Sequence, residues 1–415
     1  MTPGSNRPVT MLTSSYPRFP GDGIGAFLEP IAHSVAAGGR DVDVVAPWHP
    51  ELRRPDHEGR VRFHFYRYAP TAGLHVFGYA AALKADTSLR PSAYLAAPPA
   101  VVMGCRALRR VVHATNPEVV HAHWVVPSGV MATLSLTGLP LVISLHGSDV
   151  FVAEKNPVAR AAAAIAFRRA GAVTACSDDL RRRAIALGAR EETTTVVPYG
   201  VDTERFKPDA AARGRMRKTL GLSDRVPLIV TAGRLVRKKG FEYLIDGLAA
   251  LSASRSDVAL AIVGSGDLRE ELERRAAAGG VTQRVRFLGA VPQGEVAAWL
   301  AAADVVAVPS VRDASGNVDG LPNVLLEAMS TGTPVVTTSA GGIESVAIEG
   351  ETARLVPEKD GEAIARTIDE ILRQPTVAAK LGHTARERMC QSHSWATAAQ
   401  RFEQAYRCAV AGQSR

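Results

Sequence analysis

Two carboxylates, Asp319 and Glu327, lie eight residues apart in an apolar stretch of the second half of the sequence. Pro322 between them suits the first turn of a helix, so we expect Asp319 just before a helix and Glu327 in its second turn. The start of such a helix offers free amide groups and partial positive charge to a phosphate. A solvated acidic pair is the alternative. The apolar neighbours are Leu321, Val324, Leu325 and Ala328. They leave little polar surface, which favours a binding role.

A run of basic residues follows a predicted strand at 228–231. Arg234 and Lys239 could stabilise the negative charge that grows on a phosphate leaving group, because fixed cations act most strongly where charge develops. We expect Arg237 and Lys238, which lie between them, to be exposed to solvent. A solvated basic loop is the alternative, and these residues alone do not decide between the two.

The composition is that of an ordinary globular protein. Its 415 residues predict two to four domains, and 46% hydrophobic with 22% charged residues excludes disordered, collagen-like and coiled-coil proteins. The four cysteines are scattered without a CxxC pair, so we expect neither a zinc knuckle nor a disulfide framework. Neither a signal peptide nor an apolar run of about 20 residues is evident. We therefore expect a cytoplasmic protein that is soluble or lies on the inner face of the membrane.

The basic excess is concentrated in residues 52–110, where ten basic and three acidic residues leave a net charge of +7, against +8 for the whole chain. Aromatic residues are interleaved with the basic ones. A solvated surface is one interpretation, but this mixture also suits the interface of an anionic bilayer. The segment therefore predicts an anionic partner, either a membrane surface or a lipid-diphosphate acceptor.

Short apolar strands alternate with helices, which predicts βαβ units and parallel sheets buried on both faces. One series runs from a strand at 9–12 to a strand at 195–197, and a second runs from 228–231 to a helix at 363–373. The Pro- and Gly-rich stretch 199–225 between them predicts a domain boundary. Two Rossmann-like domains would bind ligands in a cleft that faces the carboxyl ends of both sets of strands.

Taken together, the motifs resemble those of the retaining glycosyltransferases of family 4, the group 1 enzymes with an E-x7-E motif and the GT-B fold. Besides Asp319–Glu327, the resemblance rests on Gly233–Gly240, on Pro198–Phe206 and on the glycine turn Val263–Arg269. It covers almost the whole chain, and the occurrence of these motifs in order is specific. The first acidic position, usually Glu in the family, is Asp319 here.

The resemblance implies an α/β protein of the GT-B type, with two Rossmann-like domains whose parallel sheets face a cleft. An N-terminal acceptor-binding domain would span 1–205, with 391–415 crossing back to it, and a nucleotide-sugar donor domain would span 206–390. The implied reaction moves a hexose from a UDP- or GDP-sugar to a hydroxyl of a glycan or lipid-linked acceptor, in the synthesis of cell-surface or exopolysaccharide glycans. It needs no metal and no nucleic acid.

The resemblance also implies roles for single residues. Glu327 would bind the donor ribose, Asp319 the hydroxyls of the transferred sugar, and Arg234 with Lys239 the diphosphate. His146, which ends a predicted strand, would contact the donor sugar. The remaining donor-binding residues implied are Gly23, Gly25, Gly264, Leu321, Asn323, Val324, Gly341 and Gly342. Near the last pair, the register puts Ser345 where the family carries an acid, so either the acid is absent or Glu344 replaces it.

Other interpretations stay open. His121 and His123 share one face of a strand and could bind a metal, but no third ligand is evident, and we favour hydrogen-bonded core histidines. A nucleotide-sugar epimerase of the same fold, or a non-catalytic binder of anionic glycans, would also fit the fold. An NAD-dependent oxidoreductase is disfavoured because the glycine runs at 21–25 and 264–266 miss the G-x-G-x-x-G fingerprint.

Overall fold

The structure is a computed structural model that describes residues 7–79, 83–84, 88–89, 91–135, 138–255 and 257–413. The chain divides into two compact units. Met1–Tyr199 and Trp395–Arg415 form the first unit, and Gly200–Ser394 forms the second. The boundaries predicted from the sequence lie after residues 205 and 390.

The first unit is built on a sheet whose central strands are apolar and buried on both faces; Val9, Val42 and Val119 have no exposed surface. Its strands are β1 (Val9–Leu12), β2 (Val42–Pro47), β3 (His57–Glu58), β4 (Val61–Tyr66), β5 (Leu83–Lys84), β6 (Ser88–Leu89), β7 (Val119–His123), β8 (Leu141–Leu145), β9 (Ala172–Ala175) and β10 (Thr194–Val196). Among the described residues, eight of them pair in the order β10-β9-β8-β7-β1-β2-β4-β3, parallel except for the β3–β4 pair. The other two, β5 and β6, pair with each other in antiparallel orientation.

Helices connect these strands in the way that parallel neighbours require. They are α1 (Leu28–Ala37), α2 (Pro91–Thr115), α3 (Val130–Ser135), α4 (Ser148–Lys155), α5 (Pro157–Arg169) and α6 (Asp178–Ala186). The sequence pattern predicts a helix at 100–112, but α2 begins earlier and contains Pro98 and Pro99, although proline is typical of a helix start. The pattern also predicts a helix at 128–136; a separate turn at Val125–Gly129 precedes α3, and the predicted end at Leu136 lies outside the described residues.

The second unit repeats the architecture with a parallel sheet ordered β13-β12-β11-β14-β15-β16 within the described residues. Its strands are β11 (Leu228–Ala232), β12 (Ala259–Val263), β13 (Val285–Gly289), β14 (Val305–Val308), β15 (Val335–Thr338) and β16 (Arg354–Val356). Its helices are α7 (Ala210–Thr219), α8 (Phe241–Ser254), α9 (Arg269–Ala278), α10 (Gln293–Ala302), α11 (Asn323–Ser330), α12 (Gly361–Arg373) and α13 (Pro375–Ser392).

The last helix, α14 (Trp395–Gln413), belongs to the first unit, as the predicted return of the C-terminal helix requires. Its residues Phe402 and Tyr406 are buried in the core of that unit. Arg40 ties the helix to the sheet, with its guanidinium 2.6 Å from both Glu403 and Glu118. A buried cation that is paired twice in this way keeps its charge compensated.

Part of the positive charge of segment 52–110 is neutralised by acidic residues outside the segment, which the sequence count did not include. The buried Arg54 pairs with Glu29, and the exposed Arg62 pairs with Asp43. Both acids lie outside the counted window and reach it because β2 and β4 are neighbours and α1 packs nearby. Asp86 and Arg90 of the segment lie outside the described residues. Among the described helices, none has the length and apolar character needed to cross a bilayer.

Candidate donor-binding site

The central strands of the second unit end at one edge of its sheet, and the loops that follow them carry most of the predicted site residues. β11 lies between β12 and β14. The strand order therefore runs in one direction from β11 to β13 and in the opposite direction from β14 to β16. Such a switch point opens a crevice at the carboxyl ends of the strands, where nucleotides bind in related sheets. The loops concerned are 233–240, 264–268, 309–322 and 339–342.

Asp319 lies in this region as a largely buried carboxylate between two ammonium groups. Lys239 Nζ is 2.7 Å from Oδ2, and Lys238 Nζ is 3.3 Å from Oδ1. Burial alone would raise the pKa of Asp319, but the charges of Lys239 and Lys238, with a further contribution from Arg234, hold it well below its usual range. Asp319 is therefore ionised at any physiological pH.

Lys238 is a correction to the sequence analysis, which expected it to be exposed. It is 7% exposed and lies in a 3₁₀ turn formed by Arg237–Lys239. A 3₁₀ turn has three residues per turn, so its three side chains point in three different directions. The three consecutive basic side chains therefore cannot all be exposed to solvent. Arg237 is exposed as expected, and its guanidinium pairs with Glu271 at 2.5 Å.

Two of the predicted glycines are required by close approaches around this cluster. A Cβ on Gly264 would lie 1.9 Å from the carbonyl oxygen of Gly233, directly beside Arg234. Gly341 has a φ of +65°, and its Cβ would lie 2.1 Å from the carbonyl oxygen of Asp319. Only glycine therefore lets the 264 and 341 loops pack against the basic loop and the acid.

The other predicted glycines differ in their surroundings. Gly342 has an ordinary φ of −95°. In the first unit, Gly25 has a φ of +65° and packs against Ser15, whereas a Cβ on Gly23 would meet nothing within 4 Å. The backbone thus gives a reason for glycine at 25 but none at 23.

Glu327 lies in the second turn of α11, where Pro322 had placed it. Burial raises the pKa of Glu327 to about 7, against an opposing hydrogen bond from Gln293 and the charges of Lys239 and Arg205. Gln293 in turn accepts a hydrogen bond from Arg205. Gln293 and Arg205 were not predicted as site residues, although Arg205 belongs to the stretch Pro198–Phe206 that carries part of the family resemblance.

The remaining predicted residues of this loop lie just before α11 and in its first turn. Leu321 and Val324 are buried. Asn323 begins the helix, and its side-chain oxygen is buried without a hydrogen-bond partner. A buried acceptor left unpaired costs free energy, so this atom marks a place for a donor group of a ligand or a water.

The loop after β15 places no buried acid at this edge. Glu344 is exposed, and Ser345 uses its hydroxyl to donate a hydrogen bond to the carbonyl of Gly342 at 2.5 Å. The three residues Ile343–Ser345 form a single 3₁₀ turn. Neither Ser345 nor Glu344 therefore occupies a position like that of Asp319.

His146 lies in the first unit, at the end of β8, inside a chain of aromatic side chains. Its Nδ1 is 2.7 Å from the hydroxyl of Tyr199, and its Nε2 is 3.1 Å from Nδ1 of His123. His121 on the same strand bonds to the Tyr406 hydroxyl and to Ser144. Both nitrogens of His146 are thus engaged within the unit. Both nitrogens of His121 are hydrogen-bonded, in agreement with the interpretation favoured above, whereas Nε2 of His123 is buried without a hydrogen-bond partner among the described residues.

Burial keeps these histidines neutral. It lowers the pKa of His123 to about 3 and the pKa values of His121 and His146 well below their usual range. Within the described part of the chain, the group whose spacing could suit a metal is Glu29, His33 and Glu58. Arg54 already pairs with both of these glutamates at 2.7 Å.

Comparisons with known proteins agree with this division of the chain. Residues 22–200 match the family model of the "Glycosyl transferase 4-like domain", and residues 212–388 match that of the "Glycosyl transferases group 1". The chain is 38% identical over 258 residues to the GDP-mannose-dependent alpha-(1-6)-phosphatidylinositol monomannoside mannosyltransferase of Mycolicibacterium smegmatis, covering 62% of this chain and 67% of that protein.

Two further similarities extend over nearly the full length. The putative teichuronic acid biosynthesis glycosyltransferase TuaC of Bacillus subtilis is 30% identical over 404 residues, which cover 91% of this chain and 93% of TuaC. Sucrose-phosphate synthase from Thermosynechococcus elongatus has the same fold, with a TM-score of 0.78 at 23% identity over 97% of this chain and 98% of that one. The chain therefore belongs to the group 1 glycosyltransferase family and has the GT-B fold.

Proposed function

We propose that the chain is a retaining hexosyltransferase that moves a sugar from a nucleoside-diphosphate sugar to a hydroxyl of a glycan or lipid-linked acceptor. In this proposal the second unit binds the donor and the first unit selects the acceptor. The observation that carries it is the buried carboxylate of Asp319, held by Lys238 and Lys239 at the carboxyl edge of the second sheet.

The charges at this edge suit a diphosphate leaving group. The charges of Arg234, Lys238 and Lys239 all act on the carboxylate of Asp319, so three cations lie close together at this edge. As the glycosidic bond breaks, negative charge grows on the phosphate oxygen, and cations fixed beside it lower the barrier. Arg234 and Lys239 have this role in the proposal, and the reaction uses no metal ion.

The neighbouring polar groups would hold the rest of the donor. Asp319 would accept hydrogen bonds from hydroxyls of the transferred sugar, and Glu327 would accept them from the ribose. The unpaired side-chain oxygen of Asn323 supports a ligand with hydroxyl groups at the start of α11.

Retention of configuration would follow from attack on the face from which the diphosphate leaves. The acceptor oxygen forms a bond to the anomeric carbon, the bond from that carbon to the phosphate oxygen breaks, and the acceptor proton passes to the leaving phosphate oxygen. Both oxygens of Asp319 are in ion pairs, so this carboxylate is poorly suited to act as a nucleophile.

GDP-mannose is the first donor to test, because the Mycolicibacterium smegmatis relative is by its name GDP-mannose-dependent. A UDP-sugar is the second. The name of TuaC supports a product in a cell-surface polysaccharide.

Thermal-shift assays with GDP and UDP test the donor site, since a ligand that binds only the native state raises its stability. We expect one nucleotide to raise the melting temperature of the wild-type protein and of the control Arg237→Ala. Lys239→Ala and Glu327→Ala should each abolish the shift while the protein stays folded. Persistent shifts in both variants would refute the proposed site, and interconversion of sugar nucleotides without transfer would indicate an epimerase.

We further propose that α2 contacts an anionic membrane surface. Leu95, Val102, Arg106 and Arg109 are exposed, and their spacing of seven, four and three residues puts them on one face of the helix. Apolar and basic side chains on one helix face suit a bilayer interface with anionic lipids.

Liposome flotation tests the membrane contact. The wild-type protein should float with vesicles that contain anionic phosphatidylserine and remain unbound with phosphatidylcholine alone. Arg106→Ser with Arg109→Ser should reduce flotation, whereas the control Arg60→Ser should not, because Arg60 is paired with Asp41 at 3.0 Å. Equal recovery with both kinds of vesicle would remove the electrostatic part of this proposal.

A further inference from the structure

Lys238 and Lys239 are neighbours in the chain but hold different oxygens of Asp319. Lys239 lies 2.7 Å from Oδ2 and Lys238 lies 3.3 Å from Oδ1. The side chain of Lys238 is 8% exposed, against 14% for Lys239, so Lys238 is the deeper of the two. One carboxylate thus has two counter-ions that approach from different sides.

The backbone of Lys238 is held in place by the loop that follows β14. Its carbonyl accepts a hydrogen bond from the amide of Val311 at 2.9 Å. Gly240, with a φ of +65°, packs so closely that a Cβ there would lie 2.0 Å from the carbonyl oxygen of Pro309. The turn that carries Lys238 follows β11 and therefore packs closely against the loop after β14.

Lys239 points to the other side of the carboxylate. Its Cε would lie 3.3 Å from a Cβ on Gly233, so its stem runs along the glycine that precedes Arg234. This is the side on which the proposed diphosphate binds. When a diphosphate binds, the ammonium group of Lys239 would contact both the diphosphate and Asp319. If Lys239 were the partner on which Asp319 depended, the buried carboxylate would then lose most of its charge neutralisation, which would cost free energy.

We propose that Lys238 is a positioning residue, which keeps Asp319 paired and oriented toward the donor sugar while Lys239 binds the diphosphate. The inference rests on the proposed function, since it assigns Lys238 a part in that same site. In this arrangement Lys238 stays paired with Asp319, and Lys239 binds the leaving diphosphate.

The experiment compares Lys238→Met with Arg237→Met, a neighbouring exposed residue that pairs with Glu271 instead of Asp319. The donor is GDP-mannose, or UDP-glucose if UDP gives the larger thermal shift. The measurements are kcat and KM of donor hydrolysis without acceptor, the Kd of the nucleoside diphosphate, and the pH dependence of kcat.

Lys238→Met should lower kcat at least tenfold and change the Kd of the nucleoside diphosphate less than threefold, because the diphosphate alone carries no sugar for Asp319 to hold. The charge of Lys238 helps to hold the pKa of Asp319 well below its usual range, so Asp319 should become protonated at a higher pH in Lys238→Met than in wild type. Lys238→Arg should restore most of the rate, and Arg237→Met should behave as wild type.

Unchanged kcat in Lys238→Met, or an equal loss in Arg237→Met, would overturn the inference while leaving the proposed function intact. So would a loss of nucleotide affinity as large as the loss of rate, because Lys238 would then be a phosphate ligand. A wild-type protein that shows no thermal shift with GDP or UDP would instead refute the proposed function, and this inference with it.

Discussion

The carboxyl groups of Asp319 and Glu327 are both largely buried on one loop and helix, yet their pKa values are shifted in opposite directions. Asp319 faces two ammonium groups, which outweigh the effect of burial. Glu327 faces the neutral amide of Gln293 and more distant cations, which do not outweigh it. At neutral pH one acid is fully ionised and the other is close to half protonated.

GDP binding should therefore weaken as the pH falls below 7. Ribose hydroxyls donate hydrogen bonds to an ionised carboxylate, and burial raises the pKa of Glu327 to about 7, so the competent form is lost on the acidic side. The affinity should fall by up to about tenfold per pH unit. Calorimetric titration with GDP between pH 8 and pH 6 measures this.

The matched control for that titration is 2′,3′-dideoxy-GDP, which has the same phosphates but lacks both ribose hydroxyls. It should bind more weakly and with a flatter pH dependence. Parallel curves for the two ligands would show that Glu327 does not hold the ribose.

Asp319→Asn should separate nucleotide binding from sugar transfer. Removing the acid releases Lys239 from its ion pair with Asp319, so GDP should bind several-fold more tightly, while the rate of donor hydrolysis should fall by at least about tenfold. Calorimetry and initial rates check the two parts. The control is Glu344→Gln, an exposed acid on the loop that packs against Asp319. Weaker GDP binding in Asp319→Asn would contradict the competition between acid and phosphate.

Much of this architecture could be predicted from the sequence, and the reasons are local. The sequence pattern predicts strands at 9–12, 141–145 and 305–308, which are the bounds of β1, β8 and β14, because fully buried parallel strands are short apolar runs. Glu327 was placed in the correct turn because Pro322 fixes the start of its helix.

What the sequence analysis missed depends on contacts between distant segments or on weak patterns. Helix α7, which is capped by Asp209, was interpreted as part of a linker because it is rich in charge. Helix α13 and the three-residue strand β16 were also missed. The burial of Lys238 requires the loop after β14 to close over its turn, and the bond between His121 and Tyr406 joins residues 285 positions apart.

The buried histidines predict acid sensitivity of the first unit. Folding lowers the pKa of His123 to about 3, so its contribution to stability is complete above the unfolded pKa of about 6.5 and is lost as the pH falls toward 3. The loss should be about 1.4 kcal/mol per pH unit for each such histidine. Urea unfolding at pH 7.5 and pH 5 measures it.

In the variant His123→Asn, the difference between those two pH values should be smaller than in wild type. His113→Asn is the control, because His113 is exposed on α2 and should leave the difference unchanged. An identical pH dependence of wild type and His123→Asn would mean that His123 is not neutral in the folded protein.

Tyr406→Phe tests the attachment of α14. It removes the hydroxyl that lies 2.9 Å from Nδ1 of the buried His121 and leaves that nitrogen without a partner. We expect a loss of about 1–3 kcal/mol in the free energy of unfolding, measured by urea denaturation. Gln404→Ala, at an exposed position of the same helix, should cost less than about 0.5 kcal/mol. Equal effects of the two would show that the buried hydrogen bond does not contribute.

The return of α14 to the first unit has a consequence for biosynthesis. During translation, β1–β10 leave the ribosome long before residues 395–413 exist, so the face on which Phe402 and Tyr406 pack stays uncovered until synthesis of α14. The second unit, which is continuous in the chain, can fold first. A recombinant fragment that ends at residue 199 would lack α14, so the apolar face that α14 covers would stay exposed. A fragment of 200–394 contains the whole second unit.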